Sequence, residues 1–394
     1  MTVGLITVLL VFMCAFAQAA ILEGWRSRIA KHPLKVPYDP SATTDMRVTM
    51  IVPVRNGAAT IIPLLQDLYA QRYPKELCET IVVDDGSTDR TVELVQGFMR
   101  TWSQLRLIQL ENEYGKKAAI AKGVELATGE LILLSDADVR CTPERLPSLV
   151  QYQLKNNDAM VLMPVLTNGN SSVLGRLQSE EQCALQAATA GSAIEGDPIL
   201  ANGANIAFLK ERFNQVEGYK EDRWASGDDL FLMKKFKKAQ FPIEYLLDQN
   251  AVVNVEPEAT WKAFLQQRLR WSGKMRSYSN FSGMLAGLFI LLFPWALLAI
   301  TFHVVRYVGI GESLFYTGAL LAGAWALWLF PILRLTQEMK AFFNSTELQH
   351  NKEDRLPRRS FFRPLFALIA FTIYAPVIAF ASTFIRPMWK GRKV

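Results

Sequence analysis

The chain has 394 residues, half of them hydrophobic, with 43 Lys and Arg against 37 Asp and Glu for a net charge of +6, and so has room for one large domain or two ordinary ones. Its three histidines, His32, His303 and His350, fall outside the soluble core and its four cysteines, Cys14, Cys78, Cys141 and Cys183, lack metal-type spacing, which argues against histidine bases, zinc sites and disulfide frameworks there. The basic excess flanks apolar stretches, a pattern that suits an anionic lipid surface and not nucleic acid.

Residues 1 to 22 carry no charge and are long enough to span a bilayer as a helix. Ala17-Gln18-Ala19 offers a signal-peptidase spacing, but Arg26, Arg28, Lys31 and Lys35 follow the segment and none precedes it, which favours an uncleaved anchor whose following side is held in the cytoplasm. Residues 46–258 read as a soluble domain. Val48 to Val54, Thr80 to Val83, Leu105 to Leu110 and Glu130 to Leu134 are short buried strands, separated by helices near 58–72, 90–102 and 116–127. This alternation predicts an α/β domain with a parallel, doubly wound sheet and ligands at the carboxyl ends of its strands, where Asp84-Asp85 and Asp136-Ala137-Asp138 fall. A long helix near 171–190, a turn at Asn202-Gly203-Ala204-Asn205 whose amides can meet a ligand, and a helix Leu230 to Lys238 opened by Asp228-Asp229 follow.

Residues 259–280, with Trp261, Phe264, Leu265, Leu269 and Trp271 among basic residues, suit an interfacial helix. Beyond it, a membrane region over 284–385 contains uncharged spans at 284–302, 313–333 and 364–385, with Gly309 and Gly311 in the first turn and Arg334, Lys340, Lys352, Arg355, Arg358, Arg359 and Arg363 in a cytoplasmic loop. A fourth full crossing would carry Arg386, Lys390, Arg392 and Lys393 outside, against the charge rule, so Pro376 marks a candidate broken or re-entrant span.

The chemistry lies in the acids and one basic-aromatic run. Asp136-x-Asp138 after a buried strand suits Mg²⁺ or Mn²⁺ with a nucleotide diphosphate, although acids after strands are commonly only solvated. Asp84-Asp85-Gly86-Ser87-Thr88-Asp89 is partly turn and helix-start chemistry, with Thr88 or Asp89 as cap and two carboxylates left for a base or ribose. Asp228-Asp229 can favour a helix N-terminus or supply a general base, with Asp229 the chosen base where no histidine is available. Gln267, Arg270 and Trp271 can share a helix face, Arg270 meeting phosphate and Trp271 a sugar or lipid head, or Arg270 and Trp271 can simply anchor the helix at the interface.

With these motifs in this order, the chain resembles the membrane-bound family 2 glycosyltransferases, which include polysaccharide synthases and ceramide glucosyltransferases. The likeness runs through Ile51-Val52-Pro53-Val54-Arg55-Asn56, Asp84-Asp85, Asp136-Ala137-Asp138, Asp228-Asp229 and Gln267-Arg268-Leu269-Arg270-Trp271, with Gly115-Lys116 resembling a polymer-synthase element whose asparagine is replaced by Ala121. The resemblance implies a Rossmann-like GT-A domain between N-terminal and C-terminal membrane helices. It implies donor contacts at Pro53, Asp84, Asp85, Lys116, Asp136, Gln267 and Arg270, and acceptor contacts at Asn205, Asp228 and Trp271. Asp136 and Asp138 would hold Mg²⁺ or Mn²⁺, and Asp229 would act as the base. The expected activity is inverting transfer from a nucleotide sugar, a UDP-sugar, to a lipid or lipid-linked acceptor at the cytoplasmic membrane face. A processive polysaccharide synthase and a non-catalytic membrane-anchored nucleotide-binding scaffold are the alternatives. Few spans argue against a wide polymer channel, and intact acids argue against a scaffold.

Overall fold

A computed structural model describes residues 3–32, 45–169, 172–220, 227–274, 281–307, 312–344, 362–385, 388–390 and 392–393. Lys35, Gly309, Gly311, His350, the basic residues from Lys352 to Arg359, the end of the 259–280 segment and Arg386 lie outside the described residues.

The chain begins with α1 (Val3–Lys31), then β1 (Val48–Val54), α2 (Ile61–Tyr69), β2 (Cys78–Asp84), α3 (Thr91–Met99), β3 (Leu105–Gln109), α4 (Lys116–Leu126) and β4 (Leu131–Ser135). β5 (Val139–Cys141), α5 (Arg145–Asn156), β6 (Met160–Leu162), β7 (Val165–Thr167), α6 (Val173–Ile194), β8 (Asn205–Leu209), α7 (Lys210–Gln215), α8 (Asp228–Lys238), β9 (Ile243–Tyr245) and β10 (Val253–Val255) complete the soluble part. α9 (Trp261–Lys274) leads to α10 (Phe281–Tyr307), α11 (Glu312–Phe343), α12 (Phe362–Ala381) and a hairpin of β11 (Met388–Trp389) and β12 (Arg392–Lys393).

The main sheet has the order β3-β2-β1-β4-β8-β6-β9. β1 and β4 are apolar without alternation and almost wholly buried, as strands covered on both faces must be. Pro53 cannot donate a ladder bond, and β1 pairs with β4 only as far as Ile51, so the two strands part at their carboxyl ends. The wholly parallel sheet expected from the alternation is corrected. β3, β2, β1 and β4 are parallel, but β8 runs antiparallel to both β4 and β6. The reason is that α6 replaces the usual crossover and the chain enters β8 from the site end, pairing Asn205 with Ser135. This reversal delivers the 202–204 turn to the carboxyl ends of the parallel strands.

Among the described residues, three helices are long and apolar enough to cross a membrane: Leu5–Lys31, Phe315–Phe343 and Phe362–Ala381. In α10 the described apolar stretch, Leu291–Arg306, is shorter. α1 does not stop at residue 22. It continues into the soluble domain, where Trp25 Nε1 donates to Glu195 at 2.7 Å and Ile29 joins the same buried cluster as Phe208 and Tyr245. Leu335, Met339, Phe342 and Phe343 of α11 enter that cluster too, so the soluble domain and two apolar helices share one core.

α12 brings the chain's end back against the soluble domain. Its Ala367 packs with Leu174, Leu177 and Phe264, its end brings Ser382 Oγ to 3.2 Å from Ser272 Oγ, and the following hairpin brings Lys390 Nζ to 3.3 Å from the Asn56 carbonyl. Pro376 lies inside an unbroken helix. Lys390 thus lies beside the soluble domain, as the charge rule asks, while the expectation that Pro376 breaks the helix is corrected.

Candidate functional site

The site forms where β1, β2 and β4 end. The loop after β2 is drawn back on itself: Asp84 is fully buried and both its carboxylate oxygens accept from Ser87 N, at 3.3 and 3.1 Å. Asp85, also buried, accepts from Gly115 N at 2.9 Å, and Gly115, with φ of 101°, takes a backbone conformation that disfavours side chains. The expectation that both carboxylates stand free for a base or ribose is thus corrected for Asp84, which braces its own loop. Asp89 rather than Thr88 serves the next helix, accepting from Thr91 N at 3.0 Å.

The bond from Asp85 fixes the start of α4, and the first residue of that helix is Lys116. Its ammonium lies 2.7 Å from Asp136 Oδ1 and 3.3 Å from Asp228 Oδ2. Burial works to lower the Lys116 pKa, but attraction to Asp136 and Asp228 outweighs it and the pKa is raised, so the cation persists. Gly203 passes directly over this pair. A Cβ there would come within 2.9 Å of Asp228 Oδ2 and 3.1 Å of Lys116 Nζ, so a side chain at 203 would displace the ends of this pair.

The Gly203 amide, expected to be free for a ligand, donates to Asp229 Oδ2 at 3.2 Å, while Leu230 N donates to Oδ1 at 2.8 Å. Asp229 is 3% exposed and held from two directions. Asp228 is also buried, beside Lys116. Asn205 does not reach an acceptor space. It is completely buried, its carbonyl oxygen accepts from Arg145 Nη2 at 2.9 Å, and its amide donates to the carbonyls of Pro164 and Ala251 at 2.7 and 2.8 Å. The Arg145 guanidinium, fully buried, also donates to Ser135 Oγ and the Leu134 carbonyl at 3.1 Å each, so Asn205 and Arg145 stitch β4 to β8 beneath Asp136.

Asp138 is exposed at the cleft, yet dehydration by its surroundings, then the neighbouring Asp136 charge, raises its pKa. Two crowded carboxylates create a demand for cations. Among the described residues no group of three or more His, Cys, Asp or Glu side chains could hold a metal, so an ion on Asp136 and Asp138 needs further oxygens from elsewhere. That donor set fits a hard divalent ion completed by phosphate and water.

Arg270 of α9 lies close enough to Glu258, Asp136 and Asp138 to feel their charge. Dehydration lowers its pKa against the attraction of Glu258, Asp136 and Asp138. Gln267 is turned to Glu258, to which its amide donates at 2.9 Å. Trp271 lies on Arg268 and not on Gln267. Lys390 was missed as a site residue because a basic tail after an apolar helix signals only topology. It is exposed at the cleft rim, and dehydration lowers its pKa despite the opposing attraction of Asp138 and Asp136. Arg55 secures it, donating from Nε to the Lys390 carbonyl at 3.2 Å and from Nη1 to the Asp85 and Gly86 carbonyls at 2.6 and 3.0 Å. Four acids and three cations thus converge at one sheet edge, an arrangement able to hold a diphosphate and to accept a proton beside it.

Residues 49–216 match the model of the family described as glycosyl transferase family 2. The chain carries a family 2 glycosyltransferase domain. It is 34% identical over 128 residues to an undecaprenyl-phosphate 4-deoxy-4-formamido-L-arabinose transferase from Aeromonas hydrophila, covering 30% of this chain and 38% of that protein. It is 32% identical over 121 residues to a dodecaprenyl-phosphate galacturonate synthase from Rhizobium johnstonii, covering 30% and 35%. The matches therefore span little more than a third of those relatives' lengths. A solved mannosyltransferase from Pyrobaculum calidifontis, in complex with GDP-Man and Mn²⁺, shares the fold with a TM-score of 0.58 at 20% identity, over 93% of this chain and 98% of that one. The family 2 domain thus has a GT-A-like mixed α/β fold, accompanied by apolar helices.

Proposed function

We propose that this protein is an inverting glycosyltransferase that moves a sugar from a nucleotide diphosphate sugar, a UDP-sugar, to a hydroxyl of a lipid or lipid-linked acceptor at the membrane. The carrying observation is the convergence of Asp136, Asp138, Asp228 and Asp229 with Lys116 and Arg270, on a domain that shares its core with two apolar helices. Asp229, oriented by the Gly203 and Leu230 amides, takes the proton as the hydroxyl attacks the anomeric carbon in one displacement. Lys116, Arg270 and Lys390 offset the charge growing on the departing diphosphate. When bound, a Mg²⁺ or Mn²⁺ ion on Asp136 and Asp138 supplies Lewis-acid stabilisation of the same diphosphate. Pro53, Asp85 and Gln267 border the donor, and Asp228 and Trp271 the acceptor. The described apolar helices are too few to line a wide translocation pore, which disfavours a processive polysaccharide synthase. The protein would be a multi-pass membrane protein, with α1, α10 and α11 crossing the membrane and the domain in the cytoplasm.

A second reading, transfer to a lipid phosphate, is favoured by the prenyl-phosphate enzymes that the chain partly matches. A phosphate is already anionic and needs no base, so the two readings separate at Asp229. Membranes incubated with labelled nucleotide sugars test the proposal. Lipid-soluble product supports it, polymeric product favours a synthase, and no product with any donor refutes it.

Two smaller effects belong here. Lys390→Ala is expected to weaken UDP binding by roughly five-fold at low salt and less at high salt, as for one exposed charge pair. Equal affinity of variant and parent at low salt removes Lys390 from the donor site. Trp271→Ala, and more mildly Trp271→Phe, should raise the acceptor KM while UDP binding persists. Normal acceptor kinetics in both variants would return Trp271 to a purely anchoring role.

A further inference from the structure

Arg268, between Gln267 and Arg270 of the motif, is a buried cation of α9, at 6% exposed. Its Nε donates to both Glu181 oxygens at 3.0 Å, and its Nη2 donates to Glu181 Oε2 at 2.6 Å. The guanidinium carbon lies 4.4 Å from the Phe264 ring centre and 4.2 Å from that of Trp271. Positions 264, 268 and 271 form one stripe along the helix, so the planar cation is clasped between two rings and anchored at its edge by α6. Arg268 also donates from Nη1 to the Gln267 side-chain oxygen, while Gln267 donates to Glu258.

Burying such a pair is costly, and apolar side chains of equal volume would often pack at least as well. What an apolar cluster would not supply is a fixed plane. A bidentate carboxylate holds the guanidinium in one orientation, and an aromatic ring resting on that face inherits it. Glu180, next along α6, is paired with Lys340 of α11, so adjacent acids tie the same stretch of α6 to an apolar helix and to α9.

We propose that Glu181 is a positioning residue for acceptor selection, acting through Arg268 to set the plane of the Trp271 ring. The inference rests on the proposed placement of Trp271 at the acceptor and extends it to a residue on a different helix. Neither Glu181 nor Arg268 touches substrate in this arrangement.

The test is steady-state transfer by the full-length protein in membranes, varying acceptor and donor separately. Glu181→Gln keeps the shape and removes the charge, and Arg268→Lys keeps the charge and removes the plane. Both should raise the acceptor KM by roughly five-fold while the donor KM stays within about two-fold of the parent. In a Trp271→Ala background, Glu181→Gln should add no further rise, because its effect runs through the missing ring. Equal rises in donor and acceptor KM, unchanged kinetics in Arg268→Lys, or full additivity with Trp271→Ala each overturn the inference, leaving the transferase reading intact. A transferring parent whose Trp271→Ala variant keeps its acceptor KM overturns both this inference and the acceptor placement on which it stands.

Discussion

Asp229→Asn is expected to lower transfer by roughly 100-fold or more while UDP affinity changes little. The substitution is nearly isosteric and removes the group proposed to take the acceptor proton. It also replaces one oxygen by an amide donor in a position where Gly203 N and Leu230 N already donate to the carboxylate. One of those donors then faces another donor, so the side chain cannot mimic the carboxylate even as a hydrogen-bond partner. The proposed donor contacts lie elsewhere, on the loops after β1 and β2 and at Lys116, so UDP should bind as before. Measuring transfer and UDP affinity on the same preparation separates the two effects. Retention of more than about a tenth of the activity sinks the base assignment, since loss of a general base typically costs at least about 100-fold. In that event an already ionised phosphate acceptor becomes the better account.

Asp138→Ala should abolish the gain in UDP affinity that Mn²⁺ produces, and turnover with it. Asp138 stands at the open edge of the cleft, crowded by its surroundings and by the Asp136 charge, and a hard divalent ion relieves both the crowding and the repulsion. Lys116 already neutralises Asp136 at 2.7 Å, which leaves Asp138 as the carboxylate most in need of an added cation. UDP titrations with and without Mn²⁺, on parent and variant, measure this directly. The same metal enhancement in both proteins would remove Asp138 as a ligand. Loss of UDP affinity in the absence of metal would instead show a role in shaping the pocket.

Much of this arrangement was legible because its signals are local. The four parallel strands are short runs rich in apolar residues and closed by turn residues, so β1 to β4, with the acids that close β2 and β4, could be placed from the local pattern. The apolar helices α1, α11 and α12 follow from composition within single windows of chain. The motif order also suffices to bring the acids and the Gln-x-x-Arg-Trp helix to one family of site.

Other features depend on which segments meet. The direction of β8 is decided by where α6 ends, and that reversal turns Asn205 into a buried brace for Arg145 where the motif suggested an acceptor contact. Within Gln267-Arg268-Leu269-Arg270-Trp271 the letters do not say which arginine faces the acids. The fold sets Arg270 in the field of Glu258, Asp136 and Asp138 and commits Arg268 to Glu181, 87 residues away in sequence. Lys390 meets the Asn56 carbonyl across 334 residues, and nothing periodic marks that approach. Propensity and hydropathy are sums over neighbours in the chain. The partner of a buried charge is fixed by burial and geometry across the fold, where an unpaired ion would be costly, and so only the tertiary structure decides it.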